Sequence, residues 1–406
     1  MKGNSRRSRR ILYVAPDIPV PHTGGFVGGS TRVLKEAESL ARRGCEVFII
    51  SRRMRGQKKF EKLSDKILTR RVYRGILFPI EDKTNIKEKK GKQRNRKYKV
   101  LEKFFFAFYR FILMTYVFYL LLKYKFDIVV ERSNEKGIGV IPAKLLGASA
   151  VVEVIYKSYT KIQLKLADKI IANSAEIVPN EFRNKVVEMH DGVDPTSFKY
   201  DAEGAKEVRK KYGLENKKVV VYVGVLSKGH GPDILIEVAE KLRDDVMFLM
   251  VGKDLELLRE EAEKRGVANR FVFTGFVKHG EVPKYISAAD VAVAPYRLTE
   301  FMKRKKIPAH MSPIKVFEYM ACGKPVVAGD TGIVKELIME TKCGLIAKSD
   351  NPEDFAEKIR ILIENEGIAR ELGENGLKAV KNYTWDVIAE EILRTLQPRG
   401  KGERKW

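Results

Sequence analysis

Ser312-Pro313-Ile314-Lys315-Val316-Phe317-Glu318-Tyr319-Met320-Ala321-Cys322-Gly323-Lys324-Pro325-Val326-Val327-Ala328 reads as a short helix, a glycine stop and a buried strand. Ser312 suits the N-cap and Pro313 the first helical position. Gly323 ends the helix, and Pro325 opens an apolar run. Lys315 and Glu318 are three apart and so share one helical face. A lysine beside the free N–H groups of a helix start is diphosphate chemistry. A carboxylate one turn deeper accepts hydrogen bonds from a ribose diol; an i,i+3 surface ion pair has the same spacing and stays open at this point.

Working outward, short apolar runs alternate with helix-period stretches along the whole chain. Strands are expected at Ile11–Ala15, Glu46–Ser51, Asp127–Glu131, Ala150–Val154, Lys169–Ala172 and Val186–Met189. A second series is expected at Val219–Val223, Met247–Val251, Phe271–Phe273, Val291–Ala294, Pro325–Ala328 and Gly344–Ile346. Helices fall between them, as at Thr31–Arg43, Gly139–Leu146, Asp233–Leu242, Leu255–Arg265 and Pro313–Ala321, with amphipathic helices at Asn351–Lys381 and Trp385–Leu396 closing the chain. Such alternation means parallel sheets covered by helices. A chain of 406 residues divides naturally into two α/β domains of roughly 200 residues each. The expected class is thus α/β with two doubly wound, Rossmann-like domains facing across a cleft. The expected divisions are 1–200, 201–384 and a closing helix and tail at 385–406, with the turn chemistry of Asp191-Gly192-Val193-Asp194-Pro195 at the boundary.

Two further loops can approach a ligand closely. Gly24-Gly25-Phe26-Val27-Gly28-Gly29-Ser30 follows the first strand and opens a helix, with Ser30 as a possible N-cap. Val219–Val223 ends on Gly224, and Lys228 follows in the next loop. A plain flexible loop would read the same way in either place.

Charge is distributed unevenly. The net charge is +25; residues 1–126 hold 32 Lys+Arg against 10 Asp+Glu, or +22. A field this lopsided suggests a polyanionic partner, with surface solubility as the plain alternative. Residues 83–99 are rich in Lys and Arg and run into Phe104–Leu122, which is apolar on nearly every face. That length could cross a bilayer. Strands of one sheet before and after it argue against a crossing. A buried core helix or a helix in the membrane interface remains, and the scarcity of polar positions favours the interface. No regular aromatic interleaving or nucleic-acid motif accompanies the basic residues, so no nucleic-acid partner is expected. Three cysteines without CxxC spacing argue against a disulfide framework or zinc site and suit the cytosol. Ile11–Ala15 is too short for the apolar core of a signal peptide and is expected to be a strand.

Ser312–Ala328, with Gly332 and Glu336 after it, resembles the donor-site signature of the family-4 retaining glycosyltransferases of GT-B fold. Other parts fall in that family's order: the glycine loop, Asn173-Ser174, Asp191–Phe198, the strand ending at Gly224, Phe273–Phe276 and Ala288–Pro295. The resemblance covers nearly all of residues 9–396. It implies sugar transfer with retention from a nucleotide sugar, without a metal or other cofactor, to an acceptor glycan or lipid. Together with the charge, it implies peripheral attachment to the cytoplasmic membrane face through residues 83–124. It implies donor contacts from Gly24, Gly25, Gly28, Gly29, Gly224, Lys228, Phe276, Val277, Ser312, Pro313, Ile314, Lys315 and Glu318, with Glu318 on the ribose. Three polar positions of the family differ: Val225, His230 and His310 stand in their places. The family's N-terminal catalytic histidine has no clear counterpart. Arg132, Glu131, His22 and His310 are the candidates there, so His310, Lys315, Glu318 and Arg132 form the expected catalytic set. A nucleotide-sugar epimerase, which the Ser312–Ala328 signature disfavours, and a non-catalytic nucleotide-sugar or membrane-binding homologue are the alternative readings.

Overall fold

The computed structural model describes residues 8–21, 28–54, 56–72, 96–155, 157–224, 231–253, 255–297 and 313–394, with side chains on 96–104 left aside. Two compact units result: Met1–Met189 with Ile388–Trp406, and His190–Val387.

The first unit holds an eight-stranded sheet in the order β3-β4-β2-β1-β5-β6-β7-β8. Its strands are β1 (Arg10–Pro19), β2 (Glu46–Arg52), β3 (Phe60–Ser64), β4 (Ile67–Val72), β5 (Ile128–Arg132), β6 (Ser149–Val154), β7 (Lys169–Ala172) and β8 (Val186–Glu188). All pair in parallel except β3, which runs antiparallel to β4 at the edge. The β3–β4 hairpin was absent from the sequence expectation. Phe60–Val72 mixes charged and apolar residues and ends the sheet on β3, so it lacks the continuous apolar run of the central strands.

Helix α1 (Gly28–Arg42) buries Val33, Ala37 and Leu40. It begins at Gly28, so Ser30 lies within its first turn and is no N-cap; its hydroxyl donates to the Pro19 carbonyl at 2.6 Å. Glu131 was expected near a ligand. Instead it is fully buried and organises the chain after β5. Its carboxylate accepts from the Gly137, Gly139 and Val140 amides at 2.5, 2.6 and 2.6 Å and from Gln163 Nε2 at 2.6 Å. Those amides lead into α3 (Val140–Leu145), and Gln163 belongs to α4 (Lys161–Leu166).

Helix α2 (Arg96–Tyr124) carries the aromatic segment, with one side in the core and the other exposed. Leu113, Val117, Leu120 and Leu121 form one buried stripe against Leu12, Val14, Phe48 and Val129 of the sheet. Phe108, Phe111, Ile112, Tyr119 and Leu122 form another stripe, each about half exposed. The strands on either side of α2, β4 and β5, belong to one sheet, so this helix cannot cross a bilayer within this fold.

The second unit holds a six-stranded sheet, β11-β10-β9-β12-β13-β14, parallel throughout. The strands are β9 (Lys218–Val223), β10 (Val246–Val251), β11 (Phe271–Gly275), β12 (Val291–Ala294), β13 (Val326–Gly329) and β14 (Gly344–Ala347). Helices α5 (Ala202–Tyr212), α6 (Ile234–Glu240), α7 (Glu256–Lys264), α8 (Val282–Ser287), α9 (Ile314–Ala321) and α10 (Gly332–Thr341) lie among them. The long helix expected at Asn351–Lys381 is two, α11 (Pro352–Glu364) and α12 (Glu366–Ala379). Asn365, at φ −120° and ψ 80°, breaks the ladder between them. Apolar side chains cover both faces of this sheet, which is why its strands read as continuous apolar runs. The chain returns to the first unit within α13 (Trp385–Arg394), where Lys169 pairs with Glu391 and Arg43 with Glu390.

Replacing Glu131 with Ala leaves three buried amides and Gln163 without their acceptor. Each such loss costs about 1–3 kcal/mol. Chemical denaturation of Glu131→Ala is therefore expected to show the unit holding β5 destabilised by roughly 3 kcal/mol or more, and Glu131→Gln by less. An unchanged midpoint in the alanine variant would contradict this account.

Candidate functional site

In the second unit the chain runs outward from β9 to β11 and then returns to β12, so β9 and β12 flank the switch point of the sheet. Ligands of open α/β sheets bind at the carboxyl ends of strands at such a point. Here β9, β10 and β11 end on Gly224, Gly252 and Gly275, at φ +148°, +151° and +70°. A Cβ on Gly252 would stand 1.8 Å from the Gly224 carbonyl oxygen, and one on Gly224 would stand 3.0 Å from Lys315 Nζ. Only glycine permits this approach of backbone to backbone and of backbone to lysine.

Lys315 lies in the first turn of α9. Pro313, at φ −87°, takes the N-cap position without a side-chain cap, so the helix begins one residue later than expected, at Ile314; Ser312 lies outside the described residues. The Lys315 ammonium is buried, 4.2 Å from the Tyr222 ring centre and 5.2 Å from that of Tyr296, with no hydrogen-bond partner among the described residues. Burial pushes its pKa down to about 7, while the Glu318 charge acts upward. A buried cation facing two aromatic rings and no acceptor is poised for an anion. Tyr319 ties the elements together: its hydroxyl accepts from the Val223 amide at 2.9 Å and reaches the Val293 carbonyl at 3.3 Å.

Glu318 is 3% exposed, and its Oε1 lies 2.9 Å from His279 Nε2. Sequence reasoning missed His279, because a lone histidine in a turn carries no spacing signal. The His279 ring packs on Phe198 at 4.8 Å between centres. Phe198 is placed by the Asp191–Phe198 turn, where Asp194 accepts from Thr196 and Ser197 and Val193 bridges to Thr384. Phe276, exposed, and Val277, half-buried, lie in the loop that carries His279. Ile314 is buried beside Lys315, and Glu336 is exposed on α10. The second unit therefore gathers Gly224, Lys315, Glu318 and, through its loop, Phe276 and Val277 around one strand-end surface. Next to it, Arg297 clamps Asp233 at 2.7 Å and Asp350 at 2.9 Å.

The first unit has a separate polar cluster. Tyr13 donates to Glu36 at 2.7 Å and also bonds Glu153; Arg32 pairs with Glu36 at 2.8 Å and Glu153 at 3.3 Å. Burial, together with the Glu153 charge, holds Glu36 well above the usual carboxylate range. Against the same burial, Arg32 and then Arg132 draw Glu153 below it. Arg132 is buried, its Nη1 4.0 Å from Glu153 and its Nη2 3.9 Å from where a Cβ on Gly29 would stand. The guanidinium thus sits near the start of α1, beside Gly29. His22, Gly24, Gly25, Val225, Lys228, His230, His310 and the basic stretch 83–95 lie outside the described residues.

Residues 205–379 match the family described as glycosyl transferases group 1. Spore coat protein SA of Bacillus subtilis is 29% identical over 229 residues, 52% of this chain and 58% of the relative. The GDP-mannose-dependent alpha-(1-6)-phosphatidylinositol monomannoside mannosyltransferase of Mycobacterium tuberculosis is 30% identical over 212 residues, 51% of this chain and 54% of the relative. The chain thus spans little more than half the length of the curated relatives it matches. A glycosyltransferase structure from Rickettsia africae superposes with TM-score 0.72 at 18% identity, covering 96% of this chain and 98% of that one. Two doubly wound units and the superposition on that structure show the GT-B fold, and residues 205–379, which hold the strand-end surface of the second unit, are similar to glycosyl transferases group 1.

Proposed function

We propose that the protein transfers a sugar, with retention and without a metal, from a nucleoside-diphosphate sugar to a lipid-linked or anionic acceptor at the cytoplasmic face of a membrane. The observation that carries this reading is Lys315: a buried ammonium without a hydrogen-bond partner among the described residues, beside Gly224 and the start of α9. A diphosphate leaving group needs its developing charge neutralised, and a preorganised cation in a dry site does this strongly. Glu318 accepts the ribose hydroxyls in place of, or together with, His279. In the first unit Arg132 and the start of α1 supply a second positive locus for an anionic group.

The attachment to membrane rests on α2 and on the +22 charge of residues 1–126. An exposed aromatic stripe inserts among lipid chains, and basic residues add about 1 kcal/mol each near an anionic surface. The non-catalytic alternative predicts the same nucleotide and lipid binding with no product, so product analysis with a panel of nucleotide sugars and membrane extract separates the two.

Charge-assisted bonds of the kind assigned to Lys315 and Glu318 are worth about 1.5–3 kcal/mol. Calorimetry is therefore expected to show Lys315→Ala and Glu318→Gln binding UDP or GDP roughly tenfold or more weaker than the unsubstituted protein. Full affinity in both folded variants would remove the donor assignment. The lysine adds a pH signature. Above pH 7 the free ammonium is largely deprotonated. A bound diphosphate restores its proton, so binding takes up protons and affinity falls as pH rises from 7 towards 9. Titrations at pH 8.5 in buffers of different ionisation enthalpy read this uptake, which Lys315→Met abolishes. Zero uptake in the unsubstituted protein would place the diphosphate elsewhere.

Liposome flotation tests the membrane reading. Binding to anionic vesicles is expected to be salt-sensitive and to drop when Lys89, Lys90, Lys92, Arg94, Arg96 and Lys97 are neutralised. Residual binding in high salt is expected to go when Phe108, Phe111 and Ile112 become Ser. A protein that stays free of anionic vesicles at low salt would refute membrane attachment.

A further inference from the structure

Strand β11 ends at Gly275, at φ +70°, and the chain passes through Phe276, Val277 and Lys278 into a single tight helical turn at His279–Glu281. That turn runs directly into α8, whose Val282 and Ile286 are buried in one core cluster with Phe198 and Phe317. The Asp201 amide donates to the Ser287 hydroxyl at 2.9 Å, which ties the chain that follows Phe198 to the same helix. The Phe198 ring, 2% exposed, is a seat for the imidazole, with 4.8 Å between ring centres. A loop side chain with a buried seat and a packed helix behind it has its direction set before any ligand arrives.

That direction is towards Glu318, on the face of α9 that also carries Lys315. His279 Nε2 lies 2.9 Å from Glu318 Oε1. An ionised carboxylate only accepts, so Nε2 carries the hydrogen in the neutral ring and in the imidazolium alike. Glu318 is 3% exposed and makes no other hydrogen bond among the described residues. A carboxylate offers about four lone-pair sites, and the imidazole takes one. The others stay open, so a ribose diol can bond the carboxylate with His279 still in place. Without this tether the carboxylate would be free to turn about its last bond, and ordering it would cost part of the binding free energy of the ligand.

We propose that His279 is a positioning residue for the nucleotide: it donates to Glu318 Oε1 and stays there while the carboxylate takes the ribose hydroxyls. It touches Glu318 and not the sugar. The inference rests on the donor reading and deepens it. Phe276 and Val277, expected at the base, lie in the same loop, so one turn of chain serves both the base and the ribose of the nucleoside.

Calorimetry on the full chain tests this, with UDP and GDP each beside a dideoxy counterpart that lacks both ribose hydroxyls. Two variants separate the hydrogen bond from the packing. His279→Phe keeps a ring on Phe198 and has no donor, whereas His279→Gln has a donor at similar reach and no ring. His279→Phe is expected to bind the nucleotide at least about fivefold more weakly than the unsubstituted protein, and the dideoxy counterpart within about twofold of it. His279→Gln is expected to stay within about threefold for both ligands. In a Glu318→Ala background His279→Phe is expected to change nothing further, because the group it would hold is gone. Full nucleotide affinity in His279→Phe, equal losses on nucleotide and dideoxy counterpart, His279→Gln as weak as His279→Phe, or an undiminished effect in the Glu318→Ala background would each overturn the proposal. So would tighter binding by His279→Phe, which would make His279 a competitor of the ribose. In each of these outcomes the loss in Lys315→Ala still reports on the donor reading by itself. Absence of nucleotide binding to the unsubstituted protein would remove both.

Discussion

Parallel strands covered on both faces leave chemistry only their ends. In both units the central strands are buried along nearly their whole length, so a ligand can reach the backbone only where strands stop and helices start. The features described above all follow from this confinement. Gly224, Gly252 and Gly275 end three adjacent strands, which brings backbone to within contact of backbone and makes room for the Lys315 ammonium. In the first unit the same constraint places Arg132 at the end of β5.

Confinement also explains the electrostatics. A charge at a strand end stands in low dielectric, because the sheet core is close beneath it. Lys315 responds by losing proton affinity. The Tyr13, Arg32, Glu36, Glu153 and Arg132 cluster responds by distributing two carboxyls and two guanidinia so that one carboxyl is pushed up and the other drawn down. Glu131 shows the opposite solution: four donors converge on it, and the group becomes a structural tie for the turn into α3. Neighbouring residues of one strand, Glu131 and Arg132, thus differ in kind because one has its partners and the other, among the described residues, has only a distant one.

Helix α2 unites the two sides of the first unit. Its buried stripe belongs to the core that holds β1, β2 and β5, so its position is tied to the sheet. Its exposed stripe is too apolar for an ordinary surface helix. A helix that is core on one side and exposed and apolar on the other gives a rigid mount for whatever the second face meets.

Periodicity alone determined the two-sheet α/β architecture, because buried parallel strands must be continuous apolar runs and the helices between them must be amphipathic. Lys315 and Glu318 were legible as a pair from their three-residue spacing, which any helix converts to a shared face. Only tertiary structure decided their environments. Whether Lys315 is solvated or buried against Tyr222 and Tyr296 depends on residues roughly 20 to 90 positions away. That Glu318 meets His279 depends on a turn held by Phe198. The β3–β4 edge, the break at Asn365 and the fate of Glu131 were hidden for the same reason. Hydrogen-bond partners and burial are properties of contacts distant in sequence, and local pattern carries no record of them.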